Sequence, residues 1–271
     1  MNLTNLIKTE YETITSQSIG ELKKSQSSVI INIFSLWEET FQKNNNFMKE
    51  GKVDPSMYEP LYATIAANAL NYTPSDITSI SIALKEYEKK AIFSTAGSLL
   101  SALVNHYTDL YGIGTEYLLI TEHLEEGIMH LGMKNKGRIK IDGDCGGDEF
   151  STGTNMRGGV VHIFGNCNSH LGFAMEYGSL IVENNVIDGS VGTFMKNGKI
   201  EIKGSHIGND VGHTMRGGSI TVHGTIEGMV GSSMIGGSIF IYDKNAMISS
   251  SRTGGEIYCN GKKIKRNRRI V

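Results

Sequence analysis

Side chains able to do chemistry are thinly spread over these 271 residues. Asp142, Asp144, Asp148 and Glu149 surround Cys145 in a glycine-rich stretch, and Asp144, Cys145, Asp148 and Glu149 make a candidate acidic binding loop. Met133, Met156, Met175, Met195, Met215 and Met234 recur at near-constant spacing. Stacked thioethers bind copper(I), but a column of flexible apolar side chains at one corner of a repeat is better read as core filler. Arg252 takes the next place, which predicts that the column reaches solvent at the last repeat. Glycines around Gly143 to Gly147 offer fragments of a phosphate loop; that device needs a strand running into a helix N-terminus, and here strand follows loop every time. The histidine pairs His123 with His130 and His206 with His213 have neither i, i+4 spacing nor a companion cysteine cluster, while His162 and His223 fall at outward strand positions. Surface histidines are expected rather than metal ligands. Lys262, Lys263, Lys265, Arg266, Arg268 and Arg269 crowd the last ten residues. With no second basic patch in the sequence, that run reads as a disordered or edge-protecting tail, and a nucleic-acid contact through it is the alternative. No acid, base and nucleophile converge, so no catalytic residue, cofactor or metal ligand is assigned.

What positions these residues is a repeat. Seven times between Met133 and Gly261 the chain writes a methionine or its stand-in, a short glycine corner, and alternating apolar residues, as in Met215 to Gly224 (MRGGSITVHG). The methionines step by 23, 19, 20, 20 and 19 residues, with Arg252 a further 18 on. Period-2 alternation makes each copy a strand, and two inward columns follow. One is Ile139, Val161, Leu180, Ile200, Ile220, Ile239 and Ile257; the other is Ile141, Ile163, Val182, Ile202, Val222, Ile241 and Cys259. A second short segment before each methionine, carrying Leu171, Val191, Val211 and Val230, completes a coil of two strands per 18 to 20 residues. Stacked in parallel, such coils form a solenoid. Without a hexapeptide sub-period, the expected form is a right-handed parallel β-helix. Outward, Phe164, Ile181, Phe240, Tyr242 and Tyr258 put apolar area where water should be, marking a candidate interaction face. The occupants of that face, in order of expectation, are the helical half of the same chain, a second copy, and a foreign subunit.

Upstream the period is helical. Val29, Ile30, Ile33, Phe34, Trp37 and Phe41 line one helix ending near 44–46, Pro55 opens a second through Leu61, Ile65 and Leu70, and Thr73-Pro74-Ser75-Asp76 starts a third. A fourth covers Ala96 to His106, and together these predict a helical module with its own core. The chain thus divides into a helical module at 1–112, a β-helix at 113–261 and a basic tail at 262–271, an α+β two-part architecture. A net charge of −2 exerts no overall pull on nucleic acid or membranes, and 33 glycines beside only 3 prolines mark periodic corners rather than disorder. Three cysteines without CxxC spacing argue against a disulfide framework and a zinc cage and suit a reducing cytoplasm. No apolar stretch reaches the roughly 20 residues of a membrane span.

The repeat Met-x-Gly-Gly-x-Ile-x-Val-x-Gly resembles the GXGXG β-helix domain shared by the C-terminus of the glutamate synthase large subunit and one of the subunits of formylmethanofuran dehydrogenase. The resemblance covers about residues 117–261 and not the helical half. It implies a scaffold whose chemistry sits on other domains or subunits, so no catalytic residue carries over. The expectation for function is a non-catalytic structural or interaction protein with a protein partner or self-association. The alternative is an accessory subunit of a glutamate synthase-like or formylmethanofuran dehydrogenase-like complex.

Overall fold

The computed structural model describes residues 28–44, 57–147, 152–168 and 170–265. Pro55, Asp148, Glu149, Arg266, Arg268 and Arg269 lie outside the described residues. Four helices come first. Helix α1 (Ser28–Lys43) buries Ile30, Ile33, Phe34, Trp37 and Phe41, the stripe its spacing dictates. Helix α2 (Tyr58–Ala67) buries Tyr58, Leu61 and Ile65. Helix α3 (Pro74–Ala83) begins with a capping box: Thr73 accepts from the Asp76 amide while Asp76 accepts from the Thr73 amide. Two short 3-10 turns lead to α4 (Ala96–Tyr111), which ends at Gly112, whose φ of 90° is open to glycine at no steric cost.

A parallel β-solenoid of about seven turns follows. Its long sheet stacks β1 (Glu116–Ile120), β2 (Arg138–Asp142), β3 (Arg157–Ile163) and β4 (Tyr177–Val182). Past the two-residue β5 (Val186–Ile187) it continues through β6 (Lys199–Ile202) and, after β7 (His206–Ile207), β8 (Ser219–Val222). Beyond β9 (Met229–Val230) come β10 (Ser238–Ile241), then β11 (Met247–Ile248) and β12 (Glu256–Cys259). All of these pairings are parallel, and β13 (Lys262–Lys263) closes the sheet antiparallel to β12. The two inward columns run in the expected register, Ile139 on Val161, Leu180, Ile200, Ile220, Ile239 and Ile257, with their neighbours two residues on. Every member is buried except Cys259, which is half-buried. The segment before each methionine also stacks, as Thr152, Leu171, Val191, Val211 and Val230.

Two inner features go beyond the repeat as read. Strand β1 is an extra rung: Tyr117 sits on Ile139 and Leu119 on Ile141, with no methionine-glycine corner to announce it. A further buried column, Cys145, Cys167, Val186, His206 and Ile226, lines another side of the coil. Its irregular composition hides it from any period count.

The methionine and glycine positions of the repeat fit each other. A Cβ built on Gly178, Gly198, Gly218 or Gly237 would lie 2.6 to 2.7 Å from the methyl of Met156, Met175, Met195 or Met215, respectively. Each methionine therefore reaches into the next coil at a point where only a hydrogen fits. All six methionines are buried, so the column is core packing.

The helical half is built onto this rod. Helix α4 lays a polar stripe along the outer edge of the first coil: the Ser101 hydroxyl accepts from the Gly132 amide and donates to the His130 carbonyl. One turn on, the Asn105 amide donates to the Met133 carbonyl and the Tyr58 hydroxyl, and its oxygen accepts from the Lys136 amide. Thr108 pairs with the Tyr117 hydroxyl at 2.9 Å. Helix α3 does the same for β1, where Ser81 accepts from the Ile120 amide and Thr78 donates to the Leu118 carbonyl. Backbone groups that a missing coil would have paired are satisfied by side chains of helices. The apolar core is one cluster running from Ile30 to Ile257, not a separate helical core as the sequence pattern predicts.

The far end is closed by the chain's own continuation. Arg252 is only 5% exposed and donates from Nη2 to the Ile264 carbonyl at 2.7 Å, while the Ile264 amide returns to Ile257. The methionine column therefore ends under a folded-over segment and not in solvent. Substituting Gly198→Ala should lower stability by about 2 kcal/mol or more, from strain at φ +98° and the clash with Met175, read as a fall in the thermal midpoint. Asn105→Ala strands the buried Tyr58 hydroxyl and Met133 carbonyl and the part-buried Lys136 amide, and should cost about 2 to 4 kcal/mol in a denaturant titration.

Candidate interaction face

The outward residues of the long sheet form two columns. One contains Lys140, His162, Ile181, Glu201, Thr221, Phe240 and Tyr258; the other contains Asp142, Phe164, Glu183, Lys203, His223, Tyr242 and Asn260. Alternation along each strand points them away from the core, and the rung spacing of ~4.8 Å brings each within reach of its neighbours.

Two kinds of surface result. Toward the first coils the face is charged and internally paired. Glu183 takes His162 Nε2 at 2.5 Å and Lys203 at 2.7 Å, and Glu201 takes Lys199 at 2.7 Å and His223 at 3.3 Å. Partial burial pushes the Glu183 carboxyl up, but Lys203 and His162 outweigh it and hold the group below the usual carboxylate range. Lys199, with His223, does the same for Glu201 against a smaller burial effect. Toward the last coils the face is aromatic. Phe240 stacks on Tyr258 with ring centres 5.1 Å apart, and His223 stacks on Tyr242 at the same distance. Phe240 is 36% and Tyr242 48% exposed, whereas Tyr258, Phe164 and Ile181 are half-buried. Phe164 lies against His162, with ring centres 4.3 Å apart. The five apolar residues thus split, with Phe240, Tyr242 and Tyr258 together and Phe164 and Ile181 among the charges. Among the described residues, the helices make their contacts with β1 and the first corner, away from the aromatic end.

The acidic loop resolves into structural roles where it is described. Asp144 starts a corner ladder: its carboxylate accepts from the Asn166 amide at 2.7 Å, Asn166 accepts from Asn185, Asn185 from Ser205, and Ser205 from Thr225. Cys145 faces inward, fully buried on Cys167, and its thiol is pushed well up by that neighbour and by burial. In the tail, Lys262 and Lys263 pair with the edge of β12, Lys263 also bonds Glu256, and Lys265 is exposed. Surface placement holds for His162 and His223, but His130 and His206 are buried. His206 belongs to the irregular inner column, with Nε2 3.0 Å from the Asn209 carbonyl. Exposed Met229 and Met247 stack in register on one side of the two-residue strands, a pair too short to leave a period in the sequence. Among the described residues no group of three or more His, Cys, Asp or Glu side chains is arranged to hold a metal ion, and no helix is long and apolar enough to cross a membrane.

Fold and face together define a class: a parallel β-solenoid closed at one end by helices and at the other by its own C-terminal hairpin, with an exposed lateral sheet face. No protein-family model, curated protein or solved structure matches the chain.

Burial pushes the His206 imidazole down, with the Asn209 carbonyl opposing; burial also lowers His106 and His123. Below the ordinary histidine value of about 6.5 the unfolded chain binds more protons than the folded one, so stability falls as the pH drops from there. The thermal midpoint should decline between pH 7 and 5, and His206→Leu should flatten part of that decline.

Proposed function

We propose that this is a non-catalytic assembly scaffold whose β-solenoid presents its long outer sheet to a second copy of the chain. The carrying observation is that both ends of the rod are closed by its own residues while Phe240 and Tyr242 stay exposed on a regular lateral face. Closed ends remove the end-to-end edge pairing by which β-solenoids otherwise grow, and leave lateral contact. The charges next to the aromatic end favour self-pairing: Lys199 and Lys203 alternate with Glu183 and Glu201, so a two-fold arrangement sets opposite signs against each other.

A second reading, an accessory subunit of a glutamate synthase-like or formylmethanofuran dehydrogenase-like complex, draws support from the seven-fold methionine-glycine register that carries the resemblance. On that reading the same face meets a larger enzyme. Sedimentation at tens of micromolar separates the two. Self-association that Phe240→Asp with Tyr242→Asp abolishes, with the thermal midpoint unchanged, supports the first. A chain that sediments as a monomer and co-purifies from its native source with no protein contradicts both.

A further inference from the structure

Residues some 20 apart in sequence meet along the glycine corner that precedes the long sheet. There the coils align Lys134, Lys136 and Arg138 of the first turn with Arg157, Glu176, Lys196, Lys199 and Arg216 of the next four. Four of the seven cations are paired: Lys134 with Glu59, Lys136 with Asp109 at 2.7 Å, Lys196 with Glu176 at 2.8 Å and Lys199 with Glu201 at 2.7 Å. Among the described residues no carboxylate lies within 4.0 Å of the Arg138, Arg157 or Arg216 guanidinium, and all three are exposed. The ridge is thus three charges positive on a chain whose total is −2. Lys196 and, more weakly, Arg157 hold the Glu176 carboxyl below its usual range, as a positive local field requires. This is the second basic patch that the linear sequence does not display.

One further side chain narrows the ligand. Tyr177 stands in register with Arg157, at 59% exposure, in the middle of the arginine row. Beside Arg157, a Cβ on Gly158 would meet nothing within 4 Å, so the backbone at that point lies open to close approach. Guanidinium groups favour phosphate through two-pronged hydrogen bonding, and an exposed ring among them offers a base a stacking surface. From Arg138 to Arg216 is four rung spacings, about 19 Å at ~4.8 Å each, enough for several successive phosphates.

We infer that this glycine corner is a binding ridge for single-stranded nucleic acid, held by Arg138, Arg157 and Arg216 with Tyr177 stacking on a base. It borders the sheet face proposed for assembly, with Lys199 belonging to both, and is separate from the basic tail. An acidic peptide would satisfy the arginines but has no use for Tyr177.

The test is fluorescence anisotropy of the full chain with labelled 15-nucleotide single-stranded RNA and DNA, at 50 and 200 mM salt, with poly-glutamate as competitor. The variant Arg138→Gln, Arg157→Gln, Arg216→Gln should bind at least tenfold more weakly, and the slope of log affinity against log salt should flatten by about 2. Tyr177→Ala should weaken binding about fivefold or more with the slope unchanged. Substituting Arg266, Arg268 and Arg269 by Gln should leave binding in place, and preference between the RNA and DNA strands tells which of them the ridge takes. Absence of binding at 50 mM salt, loss of binding in the tail variant alone, or equal competition by poly-glutamate with no effect of Tyr177→Ala would each overturn the inference. Circular dichroism of each variant confirms that the rod is intact.

Discussion

A coil of parallel β-structure cannot satisfy its own backbone. Each rung of this solenoid gives its amides and carbonyls to the rungs before and after it, so the first and last rungs face an edge with nothing beyond. Most of what surrounds the repeat answers that constraint. At the start, Ser81, Thr78, Ser101 and Asn105 supply from helices the donors and acceptors that a preceding coil would have offered. At the end, β13 pairs with β12 and Arg252 reaches the Ile264 carbonyl. Buried Ser101 and Asn105 on α4, unfavourable as helix residues, act as substitutes for a missing strand.

Within the rod a second constraint is steric. The methionine of one coil and the glycine of the next occupy the same space, so neither position can change alone. A flexible unbranched side chain facing a residue without a Cβ tolerates the small differences in coil length along the repeat. That regularity leaves a lateral surface whose composition is free to vary from coil to coil. Both proposed contacts, the aromatic end of the sheet face and the arginine corner, lie on such positions.

How much of this the sequence reveals depends on periodicity. The two inward columns are legible residue by residue because strand alternation and coil length both repeat, and the helix start at Thr73 is legible from its capping residues. Strand β1 is not, since Tyr117 and Leu119 have no methionine-glycine corner before them. The column of Cys145, Cys167, Val186, His206 and Ile226 mixes residue types too freely to show a pattern, which is why His206 reads as a surface histidine and Cys145 as part of a binding loop. Arg252 misleads for a different reason: a charged residue in an apolar column signals solvent unless a later segment folds over it. Of the candidate face, the aromatic end is visible in the alternation, whereas the basic corner emerges only when residues a full coil apart are stacked.

Helices and solenoid form one cooperative body because the helices terminate the sheet, and native-state hydrogen exchange measures this coupling directly. The slowest amides of α4 and those of β1 to β3 should exchange through the same opening, with the same free energy and the same denaturant dependence. Protection of β1 to β3 that persists at denaturant concentrations where α4 has already lost its own would contradict it.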